Sequence, residues 1–69
     1  MYILVEIQTN ADGTVGNIVQ AYAAKNEAYS RYHSVLASAA ISALPRHAAV
    51  LLENTGTPLE FRCFEHGGE

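Results

Sequence analysis

The sequence predicts an α+β fold: a two-layer ββαββ sandwich with one helix laid across a four-stranded antiparallel sheet. Three observations predict it. Residues 2–8 alternate apolar and polar side chains, an alanine-rich stretch near residues 27–43 repeats its apolar positions every three or four residues before a proline, and two further β-like runs follow.

The first strand runs from Tyr2 to Gln8, with Ile3, Val5 and Ile7 on one face and Leu4, Glu6 and Gln8 on the other. Asn10-Ala-Asp-Gly13 is a turn, because Gly13 is free to take a positive φ. Thr14 to Tyr22 is a second strand built on Val15, Ile18, Val19 and Tyr22, and Gly16-Asn17 predicts a bulge or a twisted edge. Asn26 is the expected N-cap, with Glu27 at the positive end of the helix dipole. The helix should reach about Ala43, since Pro45 disfavours helical geometry at Leu44. Arg46 to Glu53 returns to strand, and its run His47-Ala-Ala-Val-Leu-Leu52 predicts an inner strand buried on both faces. After a turn at Glu53–Thr57, the last strand spans Pro58 to His66, with Leu59, Phe61 and Cys63 opposed to Glu60, Arg62 and Phe64. A single helix covers one sheet face, so Tyr2, Leu4, Phe64 and part of residues 47–52 are expected on an open, interacting face.

A chain of 69 residues is read as one domain over residues 1–66 with a short polar tail at 67–69. Domains this small bury only about 60% of their unfolded surface and need help from a disulfide, a metal or a partner copy. Cys63 is the only cysteine, which removes an intrachain disulfide and points to a reducing compartment. The charged fraction is 16%, against about 25% in ordinary domains, so part of the surface is given to something other than Lys and Glu. A buried partner surface accounts for that deficit. The four cations, Lys25, Arg31, Arg46 and Arg62, form no run, which speaks against a nucleic-acid groove. The opening apolar run is broken by Glu6 and has no basic leader, so neither a signal peptide nor a membrane span is expected.

At 100° per residue, Ala28, Tyr32, Leu36, Ala39 and Ala43 form the expected core stripe, with Val35 and Tyr29 at its margins. The opposite side collects Ser30, Ser34, Ala37, Ser38 and Ile41, where a solvated helix would carry Lys and Glu. Ser34, Ala37, Ser38 and Ile41 are therefore the expected self-association surface, in a two-fold homodimer or higher oligomer.

No catalytic residue, cofactor or metal is expected. His33, His47 and His66 lack the close, regular spacing of zinc ligands. The odd separation of Cys63 and His66 puts them on opposite faces of a strand, and Cys63 is expected to be a small buried hydrophobe. No nucleophile elbow stands in the chain, and the glycines of Asp12-Gly-Thr-Val-Gly-Asn17 lack the lysine and helix start of a phosphate loop. What remains is a small-ligand set: Tyr22, Arg31, Tyr32, His33, Arg46, His47 and Arg62 hold every arginine and four rings able to stack on a base or pair with phosphate. Arg31 and His33 lie in the first half of the helix and Arg46 and His47 just beyond its end, so an antiparallel helix pair across a dimer would gather them. Taken alone, the commoner reading of these residue types is that Tyr32 is core, Arg31 solvated and His47 an ordinary hydrogen-bonding histidine.

Asp12-Gly-Thr-Val-Gly-Asn-Ile-Val19, Tyr32-His33 followed by Leu36-Ala and Ala39-Ala40, His47-Ala-Ala-Val-Leu-Leu52 and the closing Cys63-x-x-His66 together resemble short accessory proteins encoded by bacteriophages and prophages of gut bacteria. The resemblance covers nearly the whole chain and transfers no site residue. It implies a phage protein acting in the cytoplasm of a bacterial host, countering defence by binding and not as an enzyme. Two routes are open: sequestering a nucleotide-derived immune signal at a subunit interface, or covering a surface of a host defence protein.

Overall fold

The computed structural model describes residues 1–66; the predicted tail at 67–69 lies outside the described residues. The elements are β1 (Tyr2–Thr9), β2 (Val15–Tyr22), α1 (Lys25–Ala40), β3 (Arg46–Glu53) and β4 (Pro58–Glu65). The expected ββαββ order and α+β class are present, with one antiparallel sheet in the order β2-β1-β3-β4. Among the described residues no helix is long and apolar enough to cross a membrane.

The two hairpins use the same loop. In the first, Asn10 N–H donates to the Thr14 carbonyl at 2.8 Å and Gly13 N–H to the Asn10 carbonyl at 3.0 Å. In the second, Glu53 N–H donates to Thr57 at 2.9 Å and Gly56 N–H to Glu53 at 2.8 Å. Gly13 (φ 90°) and Gly56 (φ 91°) take the left-handed position that three-residue hairpin loops require. Asp12 locks the first loop by accepting from the Thr14 hydroxyl and amide, bonds that hold its carboxyl below the usual range.

Gly16-Asn17 makes no bulge: β1 and β2 pair without a break from Tyr2↔Tyr22 to Thr9↔Val15. The irregularity lies instead in the β3–β4 ladder, where Leu51 faces Glu60, Leu52 faces Pro58 and Leu59 is the extra residue. Proline has no amide to donate to the ladder, so the register slips beside it.

Asn26 is not the N-cap. Ala24 holds that position in extended geometry, with no side-chain cap, and its carbonyl takes the first helical amide, that of Ala28. The helix also stops at Ala40, short of Ala43. Ile41 and Ser42 amides reach back three residues, to Ser38 and Ala39, and the Ser42 hydroxyl accepts from Leu44 N–H at 3.1 Å. That local side-chain bond competes with a further helical turn. Ala43 is consequently exposed.

Ala28, Tyr32, Val35 and Ala39 are the buried helix residues, while Leu36 and Tyr29 pack at the edge of the core. Against them stand Leu4, Ala49 and Leu51, with Leu4 and Leu51 direct cross-strand partners. The expected assignment of sheet faces is therefore reversed. Leu4 lies under the helix at 2% exposure, with Tyr2 and Phe64 on the same side, and the open face is the one carrying Ile3, Val5 and Ile7. Alternation shows which residues share a face and is silent on which face the helix takes. β3 is central as expected but covered on one side only: His47, Ala49 and Leu51 are buried, while Ala48, Val50 and Leu52 are half-buried.

Leu4→Ala and Leu51→Ala are each expected to cost about 2–5 kcal/mol in urea denaturation. Ile41→Ala, at a side chain 87% exposed, is expected to change stability by less than about 0.5 kcal/mol.

Candidate functional site

The end of β2 and the first half of α1 enclose an open groove of about 480 Å³, lined by Tyr22, Asn26, Glu27, Ser30, Arg31 and Ser34. Its helix wall follows from spacing: Asn26, Ser30 and Ser34 recur every fourth residue, and Glu27 and Arg31 form the neighbouring row. Tyr22 stands on the sheet side, its hydroxyl donating to the Gln20 side-chain oxygen at 2.7 Å. The groove thus offers one phenol ring, one guanidinium, one carboxylate, an amide and two serine hydroxyls.

Of the predicted ligand set, Tyr22 and Arg31 meet there. The other members go elsewhere within the protomer. His33 is two residues from Arg31, hence about 200° around the helix, and packs its ring on Tyr32 (centroids 5.5 Å apart) and Tyr29 (6.4 Å). Arg46 and His47 are adjacent in a strand and so point to opposite faces. Arg46 lies on the open face, 3.5 Å from Glu65 across the ladder. His47 is buried beneath the helix. Arg62 places its guanidinium 5.0 Å from the Phe64 ring centroid. Tyr32 is core, its phenol pushed up by burial and by the nearby Glu60 carboxylate against the opposing Arg62. Ser34, Ala37, Ser38 and Ile41 are all exposed, Ile41 as the residue that ends the helix.

Cys63 and His66 diverge as the odd spacing predicts, yet Cys63 is exposed on the open face and not buried in the protomer. His66 is half-buried: its Nε2 donates to the Ala39 carbonyl at 2.9 Å and its amide to Pro45 at 2.8 Å. It satisfies a last-turn carbonyl of α1 and stacks parallel to Phe64, with centroids 6.4 Å apart. Among the described residues no three His, Cys, Asp or Glu side chains gather as a metal site would need.

Sequence reasoning missed the most buried polar contact. Glu6 Oε2 accepts from His47 Nε2 at 2.6 Å and from Gln8 Nε2 at 3.0 Å, beneath the helix and beside the Leu4–Leu51 pair. His47 is 5% exposed, and its Nδ1 has no partner among the described residues. Glu6 and His47 are 41 residues apart, and only the β1–β3 register brings them together. Burial pushes the Glu6 carboxyl up, but the bonds from His47 and Gln8, with the charges of His47 and Arg31, outweigh it and hold the group below its ordinary value. The groove was missed as well: the i, i+4 spacing of Asn26, Ser30 and Ser34 is the signal that could have found its helix wall.

No protein family, curated protein or solved structure matches the chain. What the site does must therefore be read from its own geometry.

A depressed Glu6 pKa means that its stabilisation is present above the unfolded value of 4.5 and is lost as pH falls through the lower folded value. Urea midpoints should accordingly drop in acid below about pH 4.5, and Glu6→Gln should flatten that acid limb. Glu6→Ala leaves His47 buried without its acceptor and is expected to cost about 1–3 kcal/mol at neutral pH.

Proposed function

We propose that the protein acts by binding and not by turnover, as a small phage-type accessory protein in the host cytoplasm, with the Tyr22–Arg31 groove as its ligand site. The observation that supports this reading is the meeting of those two side chains on one concave surface, framed by Ser30, Ser34 and Asn26. A tyrosine ring offers a face for a nucleobase, and a guanidinium pairs with phosphate oxygens in a fixed fork. Glu27 shares the groove and disfavours densely charged anions. The ligand class that fits is a nucleotide carrying few charges, such as a cyclic dinucleotide, whose phosphodiesters hold one charge each. Holding such a signal would oppose a host defence that depends on it.

A second reading, covering a surface of a defence protein, draws support from the open sheet face. It requires that face to be free in the working protein.

Thermal unfolding with a panel of cyclic and adenine-containing nucleotides tests the proposal. A fitting nucleotide at about a hundred times its Kd should stabilise the fold by about 2.7 kcal/mol, read as a raised Tm. Arg31→Ala and Tyr22→Ala should abolish the shift, and Arg46→Ala should leave it intact. No shift from any nucleotide overturns the reading, and nucleotides returned chemically altered would make the protein an enzyme instead.

A further inference from the structure

The registers lay the open sheet face out in rows across β2, β1, β3 and β4. The first row is Val15, Thr9, Arg46 and Glu65, the second Asn17, Ile7, Ala48 and Cys63, the third Val19, Val5, Val50 and Phe61. The fourth begins Ala21, Ile3 and Leu52. In these rows the charged residues are Arg46 and Glu65, opposite in sign, 3.5 Å apart and confined to one corner. The covered face is the more polar of the two, holding Glu6, Gln8, Gln20, His47 and Arg62 beneath or beside the helix. A protomer standing alone would thus shield its polar face and expose its apolar one, with Val15 at 61%, Val19 at 59% and Phe61 at 75% exposure. Scattered apolar residues on a surface need no account, but a continuous field of them does.

From this face we infer that the protein is a face-to-face homodimer, in which the sheets of two copies pack through Val5, Val19, Val50 and Phe61. The dimensions select this occupant. Four strands of eight residues make a field about 26 Å by 19 Å, about 500 Å² in plan and larger in accessible area once corrugated. Stable interfaces bury about 800 Å² on each partner. A single helix, about 10 Å across, would cover only half the width, whereas a second sheet covers all of it at about 10 Å separation. The copy brings the same apolar, largely β-branched surface, and its corner pair of Arg46 and Glu65 is opposite in sign, so two-fold pairing opposes no unbalanced charge. The result is a four-layer α/β/β/α particle with the helices outside. The Tyr22–Arg31 grooves face away from the interface, so this inference stands or falls separately from the nucleotide reading.

Analytical ultracentrifugation at micromolar concentration should find twice the chain mass of 7.5 kDa. Phe61→Glu should raise the dissociation constant by about a hundredfold or more, because it buries an unpaired charge from each copy. Ala37→Glu, on the outer helix face, should leave the mass unchanged. Because Phe61→Glu could unfold the chain, wild-type Cys63 supplies a second readout. It is exposed in the protomer but lies in the second row of the face, so its alkylation should slow about tenfold as dilute protein is concentrated into the dimer. A monomeric wild type, a dimer broken by Ala37→Glu, or a dimer with Cys63 as reactive as in the monomer each overturns the inference.

Discussion

One 16-residue helix covers one face of a four-stranded sheet, and the rest of the molecule follows from which face it takes. Here it lies over Leu4, Ala49 and Leu51, with Ala28 and Ala39 fully buried and small enough to let the backbones approach. That contact is narrow. It leaves Glu6 and His47 to satisfy each other in a confined space, and it leaves Ile3, Val5, Val19, Val50 and Phe61 on the other side with nothing of the described chain across them.

The two halves of the structure have opposite characters as a result. The helix side is a thin core that depends on polar satisfaction as well as packing: Glu6 with His47 and Gln8, and His66 against the end of the helix at Ala39. Losing a partner from a buried polar contact costs more than the contact contributes, so the Glu6 bonds matter to the β1–β3 side of the core, and of the three only the His66–Ala39 bond ties the helix itself. The sheet side is an uncovered apolar face, which in the proposed dimer would become a second half-core. Small domains that cannot bury enough surface alone commonly close the deficit in this way.

The proposed binding and the proposed assembly use different layers. The Tyr22–Arg31 groove belongs to the outer helix layer, and the apolar field belongs to the sheet. A ligand captured in the groove would not compete with a second copy on the sheet. The protein-covering role would compete with it, which places the two proposed functions in a physical contest that oligomeric state decides.

Local rules determined the elements. Period-two alternation in Tyr2–Gln8, glycines at 13 and 56 able to take positive φ, the 3.6-residue stripe of Ala28, Tyr32 and Ala39, and Pro45 after the helix are each properties of short segments, and each appears where the sequence places it. Even the opposite directions of Cys63 and His66 follow from counting along a strand. Tertiary structure decided what counting cannot reach. The covered face, the Glu6–His47 bond across 41 residues and the scattering of Arg31, His33, Arg46, His47 and Arg62 over separate surfaces depend on strand order and on the side from which the helix crosses. Neither is a local property, because the same alternating strand can bury either of its faces, and only the path of the chain through space chooses between them.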